Sequence, residues 1–168
     1  EHGVVQFAHR VHDAVVGVGG DSVLDRHLDT PAPQAISASD VVHLHVTDRL
    51  FGSPADRAAE SVSAVVDAAR TAGARVVVTL HDVPQPSDGR SVEVRTAAYR
   101  RIAESADIVV VSSEHERLLM DEAGIESAAL EVIPLPVATG RADPVVSPGT
   151  VTVGVLVFLY PGKGHVEV

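Results

Sequence analysis

Apolar positions follow two periods along the chain. Val4, Phe7, Ala8, Val11, Ala14 and Val15 recur three or four apart, which predicts an amphipathic helix over 4–15 behind a short Glu1-His2-Gly3 lead. Short apolar runs at 41–46 (VVHLHV), 75–80 (RVVVTL), 108–111 (IVVV) and 131–133 read as strands, and 151–159 reads as a last one. Between them, helical stripes return. Ala58, Val62, Val65, Val66 and Ala69 make one, with Ser53 as its expected N-cap, Pro54 as its first helical residue and Gly73 as its stop. A second helix is expected from 92 to 105. A third opens on Ser113 with Glu116, the spacing of a capping box, and closes at Gly124.

Strands that alternate with helices predict an α/β fold: a mostly parallel sheet with helices on both faces. A helix as the first element is unusual for such a sheet and implies a strand ahead of it. The apolar segment 151–159 is a candidate to fill that gap, from within the chain or from a neighbour. The Pro-, Ser-, Asp- and Gly-rich stretch 82–91 reads as a loop, and 138–150, with Gly140, Pro144, Pro148 and Gly149, as a linker. Ligands of parallel sheets sit beyond the carboxyl ends of the strands, so the residues just after 46, 80, 111 and 159 matter most.

Composition narrows the classes. With 168 residues, 45% of them hydrophobic and 21% charged, the chain can bury a core, which at 3% aromatics must be aliphatic. A net charge of −10 and the lack of any Lys/Arg-rich stretch argue against a nucleic-acid partner. No apolar run reaches membrane-spanning length, so membrane association is not indicated. There is no cysteine, which removes disulfides and thiolate chemistry, and the cytoplasm is the default location.

Several side chains could carry chemistry. His81, in Val-Thr-Leu-His81-Asp82, stands where a strand runs into a loop; it could bind a ligand or move a proton, or simply bond loop backbone. His43 and His45 share one face of their strand, a pairing that can begin a metal site if Asp48, His81 or Asp82 adds ligands, or that can be ordinary hydrogen bonding. Gly17-Val18-Gly19-Gly20-Asp21-Ser22 imitates a dinucleotide fingerprint, but Ser22 replaces its last glycine and helical periodicity precedes it, so a helix-ending turn is favoured. Ser112-Ser113 lacks the elbow of a nucleophilic serine, and capping explains Ser113. Lys163, in Pro-Gly-Lys-Gly, lacks the P-loop spacing but could place an ammonium near a diphosphate, or be a solvated turn lysine.

Glu1-His2-Gly3-Val4-Val5, Asp40-Val41-Val42-His43-Leu44-His45, Val78-Thr79-Leu80-His81-Asp82, Ala106-Asp107-Ile108-Val109-Val110-Val111-Ser112, Val132-Ile133-Pro134 and Tyr160-Pro161-Gly162-Lys163-Gly164 occur in that order. In order and spacing the chain resembles the amino-terminal, acceptor-side half of a GT-B glycosyltransferase of the retaining family 4 type, over nearly its whole length. The resemblance implies a Rossmann-like domain over 1–137, an interdomain linker over 138–150, and at 151–168 the first strand and loop of a donor-binding domain that is otherwise missing. It implies that His81 is the active-site histidine, that Gly3 lies near the donor diphosphate, that His45 and Asp82 line the substrate site, and that Lys163 binds donor phosphate. The implied reaction moves a sugar from a nucleoside diphosphate sugar to an unknown acceptor with retention, without a cofactor or an obligatory metal.

Departures from the family pattern accompany the likeness. Its first strand is missing, Val157-Phe158 stands where a Gly-Arg pair is usual, and the paired-glutamate motif of the second domain is absent. The fragment alone is therefore expected to be inactive. A free-standing α/β binding module, or a metal-dependent hydrolase using His43 and His45, is the alternative reading.

Overall fold

The computed structural model describes residues 3–24, 36–51 and 54–136. The first element is helix α1, Gly3–Gly17, followed by strand β1, Val41–Val46, and a single turn of helix, α2, Asp48–Phe51. Helix α3, Ala55–Thr71, leads to strand β2, Arg75–Leu80. A 3-10 turn, Pro86–Ser91, runs into helix α4, Val92–Ser105, and strand β3, Ile108–Val111. Helix α5, Glu114–Glu122, and strand β4, Leu130–Val132, complete the described elements.

The strands form one four-stranded sheet in the order β1-β2-β3-β4, with every neighbouring pair parallel. The fold is thus Rossmann-like α/β, as the alternating pattern predicts. Successive neighbouring strands joined by right-handed crossovers put their connecting helices on one face. Burial agrees: Val46, Val76, Val78, Leu80, Val109 and Val111 point into one core with Ala58, Ala59, Val62 and Ala69 of α3, Tyr99 and Ile102 of α4, and Met120 of α5. Alanines dominate the buried stripe of α3 because a small side chain lets helix and sheet backbones approach closely while the strand valines fill the space between. The opposite face carries His43, His45 and Thr79, and there α1 lies against β1. Helices do flank both faces, but unequally.

Local chemistry sets the ends of these elements. Gly73 turns the chain out of α3 at φ +82°, a left-handed conformation that a side chain would strain. Asp107, just before β3, accepts from the amide of Val76 at 2.7 Å while its own amide donates to Val76 O at 2.9 Å, which fixes the register at the start of the sheet. Arg100 of α4 donates to the terminal carbonyls of α5, Ala123 O at 3.1 Å and Gly124 O at 3.0 Å, where the helix dipole favours a cation.

Four boundaries differ from expectation. Pro54 is the N-cap of α3 rather than its first residue, and it brings no side-chain acceptor. The capping box at α5 is displaced by one residue: Ser113 Oγ accepts from Glu116 N at 3.2 Å, but the Glu116 carboxylate takes the amide of Ser112, at 2.6 Å, instead of that of Ser113. The stretch expected to be an irregular loop contains the 3-10 turn, closed by a reciprocal box between Gln85 and Asp88. Gly89 within it adopts φ +59°, ψ −123°, which effectively only glycine tolerates. Strand β4 runs one residue earlier than the apolar pattern implies, because Pro134 leaves Ile133 only a single bond, its amide to Val111 O at 2.9 Å.

The dinucleotide-like glycines form the helix-ending turn, with Gly19 N donating to Val16 O at 3.0 Å and Gly20 N to Val15 O at 2.9 Å. The linker 138–150, the strand 151–159 and Lys163 lie outside the described residues. Among the described residues, no helix is long and apolar enough to cross a membrane.

Candidate functional site

The parallel register sets His43 beside Val77 and His45 beside Thr79. Side chains alternate along a strand, so His43, His45 and Thr79 share the α1 face. The ladder continues past β2, because the amide of His81 donates to Val46 O at 3.0 Å. That bond carries the alternation one step further and delivers His81 to the same face at the carboxyl end of the sheet. There His45 Nδ1 and His81 Nε2 lie 3.1 Å apart, a hydrogen bond in which one ring donates and the other accepts. His43 Nε2 pairs with Thr79 Oγ1 at 2.8 Å. Thr79 is 3% exposed, so its hydroxyl has little access to water and the histidine serves in its place.

Helix α1 supplies the wall. Phe7 presents its ring to both His45 and His81, with centroids at 5.3 and 5.0 Å and an interplanar angle of 74° to each. The His43 and His45 rings are 4.3 Å apart. Burial, followed by the nearby His43 and His81, lowers the pKa of His45 to about 3. Burial of the ring also lowers that of His43, although this residue is more exposed than His45. His43 and His45 are therefore both held toward the neutral form.

On the other side of the sheet's carboxyl end, a second polar cluster closes around Arg95 of α4. Its guanidinium donates from Nε to Asp48 at 2.9 Å, from Nη2 to Asp82 at 2.6 Å, and from Nη1 to Asp88. The guanidinium carbon lies 5.5 Å from the centroid of the Tyr99 ring, one turn along the same helix. Tyr99 Oη accepts from the amide of Asp48 at 3.2 Å. Burial pushes the Tyr99 hydroxyl up to about 12, with the Asp48 carboxylate adding to the shift. Burial of Arg95 opposes its charge, but Asp82 first, then Tyr99 and Asp48, outweigh that cost and its pKa stands raised.

A profile of the family described as glycosyl transferase 4-like domain matches residues 22–136, more than half of the chain. The chain belongs to that family. No curated protein and no solved structure gives a significant match.

Within this glycosyl transferase 4-like domain, the residues singled out from sequence fall into separate groups. His45 and His81 are brought into direct contact. Gly3, the exposed first residue of α1, stands one helical turn before Phe7. Asp82 follows His81 in sequence but is held by a different element, through Arg95. Both histidines of the proposed metal pair already have side-chain partners. Among the described residues, no group of three or more His, Asp or Glu side chains is placed to hold a metal ion. The partnering residues Arg95, Tyr99, Thr79 and Phe7 are the ones that sequence reasoning passed over. Arg95 and Tyr99 at i and i+4 were a signal of a kind, but a buried arginine looks like a solvated one until its carboxylates are located. Phe7 precedes the family match, so the wall over the histidines is contributed from upstream of it.

Proposed function

We propose that this domain is the acceptor side of a glycosyltransferase that moves a sugar from a nucleoside diphosphate sugar to a hydroxyl acceptor, with retention and without a metal. One observation carries the reading: His81 stands at the carboxyl end of a central parallel strand, inside the family match, with its ring oriented by His45 and Phe7. An imidazole whose ring is held in one orientation is suited to hydrogen-bond a sugar hydroxyl or carbonyl. The N-terminus of α1, with Gly3 leaving its first amides unscreened by a side chain, is suited to the partial negative charge of a donor phosphate. Lys163 is proposed as a further donor-phosphate ligand. A second domain would supply the remaining cations that a departing diphosphate requires.

The test is a nuclear magnetic resonance titration of the chain with UDP-, GDP- and ADP-sugars and with a panel of simple glycosides. The expected result is weak saturable binding that shifts the resonances of His81, His45 and Gly3, with no sugar transfer by the chain alone. Binding that shifts only surface residues remote from these, or no binding of any probe at millimolar concentration, would refute the reading. Turnover by the purified chain would show that no second domain is needed.

A further inference from the structure

The Arg95 cluster reaches the histidines through Asp82, which the family resemblance puts at the substrate site, but nothing above gives a role to Arg95, Asp48 or Asp88. Its three guanidinium nitrogens each take one carboxylate, and the three acids come from α2, from the residue after His81, and from the 3-10 turn. Only a planar fork can serve three directions at once; a lysine ammonium offers a single point. The acids differ in their access to water. The side chains of Asp48 and Asp88 are 15% and 19% exposed, whereas that of Asp82 is 46% exposed. Asp48 and Asp88 are thus enclosed partners that brace the arginine. Asp82 Oδ2 is held by Arg95, and among the described residues Asp82 Oδ1 accepts no hydrogen bond. Three carboxylates against one guanidinium leave the cluster net negative, which repels a phosphate and favours a neutral donor such as an alcohol.

We infer that Arg95 is a positioning residue: it locks the 82–91 segment so that the outer oxygen of Asp82 accepts a hydroxyl of a neutral saccharide bound beside His81. The inference rests on the glycosyltransferase reading and deepens it, by separating a hydroxyl-reading wall at Asp82 from a phosphate-facing end at Gly3.

Amide exchange and ligand titration on the whole chain test this, with methyl α-glucoside, methyl α-mannoside, methyl α-galactoside and inorganic phosphate as probes. In Arg95→Lys, the amides of Gln85, which donates to Asp88 Oδ2 at 3.0 Å, and of Asp48 should exchange about tenfold faster, while Val78 and Leu80 in β2 keep wild-type protection. The glycoside that binds the wild type should lose about tenfold in affinity in this variant. Asp82→Asn, which leaves Asp48 and Asp88 paired with the arginine, should show the same affinity loss with Gln85 still protected, and it serves if Arg95→Lys does not fold. Phosphate should leave Asp82 and Gln85 unshifted. Wild-type glycoside affinity in either variant, or phosphate shifts at Asp82, overturns the inference and leaves the glycosyltransferase reading standing. Failure of the wild type to bind any glycoside or nucleotide sugar overturns both.

Discussion

Acidification from pH 7 to pH 5 should destabilise this domain through His45. Its folded pKa of about 3 lies below the ordinary 6.5. Above pH 6.5 the ring is neutral in both states and the array keeps its full stability. As pH falls from there toward 3, the unfolded chain takes up a proton that the folded one refuses, and stability is lost. For one such group the loss between pH 7 and 5 is at most about 2 kcal/mol, and about 1–2 kcal/mol once the ring's partial exposure is allowed for. His43, also lowered, acts in the same direction. Urea unfolding followed by circular dichroism at several pH values measures the slope. His45→Phe supplies the control, since it keeps an aromatic ring against Phe7 but has no proton to gain. That variant should be less stable at pH 7, having lost its bond to His81, yet should fall by about 1–2 kcal/mol less on acidification. A wild-type stability that is flat over this range, or an equal slope in His45→Phe, would refute a buried, neutral His45.

Arg95→Met should cost about 3–4 kcal/mol in urea unfolding at neutral pH, because it strands the enclosed Asp48 and Asp88 charges while the half-exposed Asp82 contributes little. Adding Asp48→Asn and Asp88→Asn should recover part of that loss, as the two enclosed acids then carry no charge and only the half-exposed Asp82 keeps one. Tyr99→Phe removes the acceptor of the Asp48 amide and should cost about 1 kcal/mol by the same assay. Gly73→Ala meets no neighbour within 4 Å, so its cost is that of the backbone alone, about 1–2 kcal/mol, read as a lowered thermal midpoint. Ser113→Ala should lose about 1 kcal/mol with its cap on Glu116 N.

The apolar periods made most of the fold legible. Strands β1, β2 and β3 and helices α3 and α4 stand where the pattern puts them, because a buried face imposes its period on the sequence. The 3-10 turn was not legible: Gln85, Asp88 and Gly89 close it with local side-chain bonds that leave no hydrophobic trace. The site was half legible. His81 and His45 could be picked out by their place on strands, but their contact depends on the register between β1 and β2, which neither strand states alone. Arg95 was hidden for a similar reason, since its three acids lie 47, 13 and 7 residues away along the chain.

The unequal covering of the sheet bears on how the histidines are reached. Helices α3, α4 and α5 share one continuous core, whereas α1 buries a single residue, Val4. Opening α1 thus sacrifices far less buried apolar surface than global unfolding, and it is expected to carry its own, smaller free energy. The occupancy of that open form, more than the stability of the molecule, sets how often solvent or a substrate meets the ring that Phe7 covers.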